Sequence, residues 1–210
     1  MIEFKKQRRT DVKTETDMSC YEKMIPSPKN YNKISEAVFA RNTTISGDFH
    51  SAVQVFKEYA GKAHGLLFTE GDDFTVCLDK SLEEGEYAIV STEEKVTVTA
   101  GGREGAGYAL ATLLQLIENR NGKAALGCFD ISDKADNGYR GLMIDCARNA
   151  HPLPLLKKYV DLCFFYKIKY LHLHFTDDQA YTLPSRFLPR LTSEHNHYTE
   201  AEIAELVQYA

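Results

Sequence analysis

The chain has 210 residues, 43% of them apolar and 26% charged, with a formal net charge of −5. That balance suits one or two globular domains with a buried core and excludes disorder throughout. A mildly acidic chain, with a sequence pI near 5.8 and no basic stripe, also excludes nucleic acid as a main partner. The short cluster Lys5-Lys6-Gln7-Arg8-Arg9 reads as a solvated start rather than a binding arm. The five cysteines, Cys20, Cys77, Cys128, Cys146 and Cys163, are scattered and odd in number. Reduced core thiols are therefore expected, not a disulfide framework. No apolar run approaches the ~20 residues that span a membrane, and the first residues lack the apolar stretch of a secretory signal. A cytoplasmic protein without a membrane partner is the expectation.

Residues 1–30 are polar, carry Pro26 and Pro28, and read as an irregular lead-in. Residues 34–40 alternate Ile34, Glu36 and Val38 with their neighbours, as a strand does, and Asn42, Thr43 and Thr44 break it. Asp48 stands where a helix cap would, ahead of Val53, Phe56, Tyr59 and Ala60 at helical spacing; Gly61 and Gly65 lie near the end. Residues 74–78 read as a strand after Gly71-Asp72-Asp73. Residues 86–90 and 95–99 read as strands separated by Ser91-Thr92-Glu93-Glu94, a turn of hairpin length. Gly101 and Gly102 lead into a helix over 104–117, with Tyr108, Leu110, Leu113, Leu114 and Ile117 for its buried face. The run Gly101-Gly102-Arg103-Glu104-Gly105 lacks the G-x-x-x-x-G-K-[ST] order of a phosphate loop, so a turn before a helix is the better reading. Residues 124–131 form a last strand. Short strands mixed with two good helices predict an α/β chain that opens with an α+β sandwich over residues 1–135. The polar run 133–138 marks its boundary.

The pattern then changes. Leu142, Met143 and Ile144 form a short apolar strand closed by Asp145 and Arg148. Pro152 and Pro154 open a helix whose apolar positions include Leu155, Leu156, Tyr159, Val160 and Cys163. Residues 168–174 read as a second strand, closed by Thr176, Asp177 and Asp178. Strand, helix and strand make one βα unit and the next strand, and the right-handed crossover lays the two strands side by side. Their carboxyl ends share a face, which in a (β/α)8 barrel is where active sites are built. The loop 180–198, with Pro184 and Pro189, is expected over that face. Thr199 and Glu202 carry a capping-box signature for a helix through Ile203, Leu206 and Val207. Residues 136–210 therefore read as the first βαβα portion of a (β/α)8 TIM barrel, incomplete and truncated, with an uncovered strand edge that invites self-association.

Several side chains have two readings. Arg148 offers a planar fork of donors for neighbouring sugar hydroxyls or a carboxylate, but an Arg after an apolar strand is more often an ion-pair partner of a residue such as Asp145. Asp177 and Asp178 are adjacent, so extended backbone would send their side chains to opposite sides, one to a pocket and one to the loop. His172 and His174 share a strand face, and His195-Asn196-His197 repeats the spacing; four imidazoles suit a metal-dependent hydrolase, while satisfied strand histidines are the commoner outcome.

The stretch Tyr139-Arg140-Gly141-Leu142-Met143-Ile144-Asp145, then Ala147-Arg148, then His172-Leu173-His174-Phe175-Thr176-Asp177-Asp178-Gln179, resembles the opening of the catalytic barrel of glycoside hydrolase family 20, the β-N-acetylhexosaminidases. The segments Glu84-Gly85-Glu86-Tyr87, Gly107-Tyr108-Ala109-Leu110 and Leu113-Leu114-Gln115-Leu116 resemble the auxiliary module that precedes the barrel in that and several other hexosaminidase families. The resemblance implies the N-terminal portion of an enzyme that hydrolyses terminal β-linked N-acetylhexosamine with retention, without cofactor or metal. It implies that Arg148 holds hydroxyls of the terminal sugar. It implies that Asp177 supports the site by orienting a His from the third strand, with Asp178 structural. In that family the substrate's own acetamido oxygen is the nucleophile, and an adjacent Asp-Glu pair on the fourth strand orients it and supplies the acid. No Asp-Glu dipeptide occurs here, so the resemblance places no catalytic acid in these residues. The chain also has no Trp, and Ala180-Tyr181 stands where the family often shows Gly-Trp. Gluco or galacto preference stays open. Two other readings remain: a metal-dependent barrel hydrolase built on the His-x-His pairs, and a non-catalytic carbohydrate-binding or interaction module in residues 1–135.

Overall fold

The computed structural model describes residues 24–194 and 196–210. The basic cluster at 5–9, Cys20, most of the lead-in and His195 lie outside them. The first half contains strands β1 (Asn30–Arg41), β2 (Thr44–Gly47), β3 (Thr69–Leu78), β4 (Tyr87–Ser91), β5 (Val96–Ala100), β6 (Glu118–Arg120) and β7 (Lys123–Asp133). Helices α1 (His50–His64) and α2 (Arg103–Leu116) interrupt them. The strands form one mixed sheet in the order β1-β7-β4-β5-β3-β2, with β6 also pairing β7. Alternation explains why it has one apolar face. Phe74, Val76, Val96, Val98, Tyr87, Ile89 and Ile131 are all buried, and they meet Val53, Phe56, Ala109, Leu110 and Leu113 from the two helices.

The departures from the expected elements have local causes. β2 starts at Thr44, where a break was expected, because it pairs in parallel with β3, Gly47 opposite Val76. Gly47 has φ +142, and a Cβ there would stand 2.1 Å from the Val76 carbonyl oxygen. Gly47→Ala should cost about 2 kcal/mol or more, read as a lower urea midpoint with unchanged slope; a midpoint within error of the parent would contradict the close approach. Asp48 does not cap α1, whose N-cap residue is Phe49 without a side-chain bond. Its Oδ2 instead accepts the Leu78 N–H at 2.8 Å and ties the start of α1 to the end of β3. β1 is longer than expected and carries two register shifts, which leave Ile34 and Val38 exposed. The glycines before α2 make a turn, as expected. Glu84 Oε1 accepts the Glu104 N–H at 3.2 Å, so a carboxylate of the chain itself occupies the helix N-terminus.

The second half contains β8 (Gly141–Asp145), α3 (Leu153–Phe165), β9 (Tyr170–His174), a short 3-10 turn (Pro189–Leu191) and α4 (Glu200–Tyr209). Pro152 is the N-cap residue of α3, and Thr199 and Glu202 form the capping box of α4. β8 and β9 pair in parallel. Ile144, Leu156 and Leu206 are buried between them and the helices, with Leu142, Leu171 and Leu173 packed on the same cluster. The sheet of α+β type followed by an incomplete βαβα unit is the expected fold class. The halves meet through the helices: Tyr59 of α1 stacks on Phe164 of α3 with centroids 5.2 Å apart, and Gln115 of α2 donates to the Phe165 carbonyl at 3.0 Å. Among the described residues no helix is long and apolar enough to cross a membrane.

Candidate functional site

Register builds the site. Gly141 pairs with Tyr170, Met143 with His172, and Asp145 with His174. Because Leu142, Ile144, Leu171 and Leu173 face the helices, alternation puts Met143, Asp145, His172 and His174 on the opposite face. Asp145 and His174 are the last residues of their strands, so both stand at the carboxyl end. Beyond β8 the ladder continues one step, with the Cys146 N–H donating to the His174 carbonyl at 2.9 Å.

Asp145 then turns the chain. Its Oδ1 accepts the backbone N–H groups of Ala147 at 3.1 Å and Arg148 at 3.0 Å. This brings the guanidinium back over the strand end, where Nε lies 2.5 Å from Asp145 Oδ2 and 3.5 Å from Asp177 Oδ2. His174 Nε2 is 3.6 Å from that same Asp177 oxygen. The structure thus unites Arg148 and Asp177, and it realises the ion pair with Asp145 as well. The two readings of Arg148 are compatible, since only Nε is engaged. Nη1 and Nη2 make no hydrogen bond to a described residue, and the side chain is 54% exposed. Two fixed, adjacent donors facing open space suit a pair of neighbouring hydroxyls.

The electrostatics follow. The Arg148 backbone N–H and guanidinium hold the Asp145 carboxyl below the usual carboxylate range. Asp177 is held low by a hydrogen bond from Asp178 and by the Arg148 charge. Asp178 is pushed up by its hydrogen bond to Asp177 and by the charge of that carboxylate. This corrects the expectation that adjacent aspartates point apart. Asp178 lies in a bend, not in extended backbone, and alternation does not govern it. The Asp177 N–H bonds the Ala180 carbonyl at 2.9 Å, and Thr176 bridges Tyr181, which closes a tight loop around both carboxyls.

His174, which the sequence offered either as a metal ligand or as a satisfied strand histidine, joins this cluster. Its pairing with Asp145 was readable from strand parity, but its approach to Asp177 depends on the loop. The His172 and His174 rings lie 6.4 Å apart, and His197 Nδ1 is 2.8 Å from the Ser193 carbonyl. Among the described residues no three His, Cys, Asp or Glu side chains are grouped to hold a metal ion. The 180–198 loop is tied at its base by Ser193 N–H to Tyr181 O at 2.9 Å and Tyr198 N–H to Thr182 O at 2.8 Å. Its outer part carries Phe187, 95% exposed.

Comparison with known proteins accounts for both halves. The family model described as glycosyl hydrolase family 20, domain 2, matches residues 22–134, and that of the glycosyl hydrolase family 20 catalytic domain matches residues 138–210. A β-hexosaminidase of Akkermansia muciniphila is 38% identical over 144 residues, covering 61% of this chain and 29% of that protein. The X-ray structure of Flavobacterium johnsoniae chitobiase aligns with a TM-score of 0.76 at 27% identity, over 90% of this chain and 32% of that one. An exo-β-N-acetylglucosaminidase of Vibrio harveyi, solved with N-acetylglucosamine, shares the fold with a TM-score of 0.84 at 23% identity, over 100% of this chain and 37% of that one. The chain thus spans under a third of the A. muciniphila relative's length, at 29%.

Proposed function

The chain belongs to glycoside hydrolase family 20, and on that footing we propose that it is the N-terminal portion of a β-N-acetylhexosaminidase. In this reading residues 1–135 are the auxiliary domain and residues 136–210 begin the catalytic barrel. The substrate is a glycan with a terminal β-linked N-acetylhexosamine. Arg148 donates through its two free nitrogens to neighbouring hydroxyls of the terminal ring. Asp145 and Asp177 fix the guanidinium from behind, so little side-chain freedom is lost when sugar binds. Asp177 also presents a carboxylate for a histidine of the next strand. Cleavage proceeds with retention, the substrate's acetamido oxygen attacking the anomeric carbon, and the acid and the acetamido-orienting carboxylate lie outside these residues.

One observation carries this most directly: Arg148 Nε stands 3.5 Å from Asp177 at the shared carboxyl end of two parallel strands, with its remaining donors unengaged among the described residues. The relatives' names favour the glycosidase reading over the metal-dependent hydrolase and the non-catalytic module. The test is hydrolysis of an aryl N-acetyl-β-glucosaminide by a chain carrying this site within a closed barrel. Turnover with retained anomeric configuration is expected, and Arg148→Ala should lower kcat/KM by about 100-fold or more, the loss of a charged hydrogen-bond pair. Kinetics unchanged in Arg148→Ala would remove it from the site.

A further inference from the structure

The opposite ends of the two site-bearing strands have a feature the proposed chemistry does not use. Three cations precede the strands: Arg140 stands immediately before β8, Lys169 immediately before β9, and Lys167 in the turn between α3 and β9. All three reach into the first domain. Arg140 Nη2 lies 3.3 Å from Glu104 Oε1, and Lys169 Nζ lies 2.6 Å from Glu104 Oε2. Tyr108 also donates to Glu104, at 2.7 Å, and the Arg140 guanidinium covers the Tyr108 ring. Lys167, with a side chain only 5% exposed, donates to Tyr87 Oη at 2.8 Å and lies 3.4 Å from Asp133 Oδ2. Its backbone takes the left-handed conformation, φ +57, to point that side chain into the sheet domain.

The same residues lock the strands to each other. Arg140 Nε donates to the Lys167 carbonyl at 3.0 Å. The Arg140 carbonyl accepts the N–H groups of Lys169 at 2.9 Å and Tyr170 at 3.0 Å. Two carboxylates of the sheet domain therefore hold the point where register between β8 and β9 begins. Register matters here because a slip of one residue would turn Asp145 and His174 to the helix side.

We propose that the sheet domain acts on the barrel as a clamp, in which Glu104 and Asp133 are positioning residues. They fix the amino ends of β8 and β9, and thereby place Arg148 and Asp177 roughly 17 Å away at the other ends. The first domain is then part of the scaffold of the sugar site rather than a separate binding module. The pairing with Glu104 is consistent with its ionisation: burial alone would raise that carboxyl, but hydrogen bonds from Lys169, Tyr108 and Arg140 hold it below the usual range. The clamp is read without substrate, so its failure and a failure of the proposed sugar site are separate results.

Hydrogen exchange of the 210-residue chain, followed by mass spectrometry, tests it. Glu104→Gln and Lys169→Met should each raise exchange in 141–145 and 170–174 by about tenfold or more, while 87–100 stays protected. Lys169→Arg, which keeps a cation beside Glu104, should restore the parent rates. Asp133→Asn should act on the same peptides through Lys167. Unchanged exchange in 141–145 and 170–174 for both Glu104→Gln and Lys169→Met would overturn the clamp. So would an equal rise in 87–100, because that marks general loosening rather than a held register.

Discussion

The 210 residues alone are expected to show no turnover of an aryl N-acetyl-β-glucosaminide above the buffer rate. The family's mechanism needs one carboxylate to orient the acetamido group and one carboxylic acid to protonate the leaving oxygen, and the sequence holds no Asp-Glu pair to supply them. The carboxylates paired with Arg148 are already committed: Asp145 binds two backbone N–H groups and the guanidinium, and Asp177 stands against the same guanidinium. Neither is a free acid. Water also reaches the site. With two strands in place, Arg148 lies open, and a sugar held on one side only keeps its translational and rotational freedom. Among the described residues β8 and β9 pair only with each other, and on the proposed reading their outer edges lead to concentration-dependent self-association visible by sedimentation. Turnover by the purified chain that is lost in Arg148→Ala would refute the proposal and require an acid elsewhere in these residues. A monodisperse monomer at high concentration would refute the self-association.

How much of this was legible beforehand depends on the range of the interaction. β8, α3, β9 and α4 were readable because their signals are local: apolar strands of a buried parallel pair, prolines at a helix start, and a capping box whose two partners lie three residues apart. Arg148 and Asp177 were readable by motif, and their shared face by the handedness of the crossover. β2 was not readable. It is four residues long, and its existence depends on Gly47 letting Val76 come close from the distant strand β3. β6 is three exposed residues, Glu118 to Arg120, whose only strand signal is the neighbouring β7. The contact between Asp177 and Asp178 escaped because the alternation rule was applied to a bend. Glu104 reads in the sequence as a helix start and Asp133 as part of a polar boundary run, and nothing near them reveals that Glu104 meets Lys169 and Asp133 meets Lys167. Long-range electrostatics has no sequence period, and that is why the clamp emerges only from the folded chain.

The stability of that boundary should depend steeply on Asp133. Lys167 brings a cation against Tyr87 and Asp133, with the charge of Arg140 also acting on it, and among the described residues Asp133 is the carboxylate that pairs with it. Burial pushes the Lys167 ammonium below its ordinary pKa, and the Asp133 charge opposes that without cancelling it. Removing the carboxylate leaves a buried cation facing another cation, Arg140, and strips Tyr87 of the acceptor it reaches at 3.0 Å. Asp133→Ala should therefore lose about 3–5 kcal/mol of unfolding free energy near pH 7. Lys167→Met in the same background should recover a large part, because it removes the unpaired charge and keeps apolar volume. The pH dependence has a definite sign. A lysine whose folded pKa lies below its unfolded value loses its proton first in the native state, so the unfolded chain binds more protons and stability rises with pH in that window. Asp133→Ala deepens the depression, so its deficit should shrink between about pH 7 and about pH 9.5, short of the range where Tyr87 ionises on unfolding. Urea unfolding of the parent, both single variants and the double variant at the two pH values measures all of this. A deficit under about 1 kcal/mol at neutral pH, or one that grows as pH rises, would mean that Lys167 is not held by Asp133 in solution.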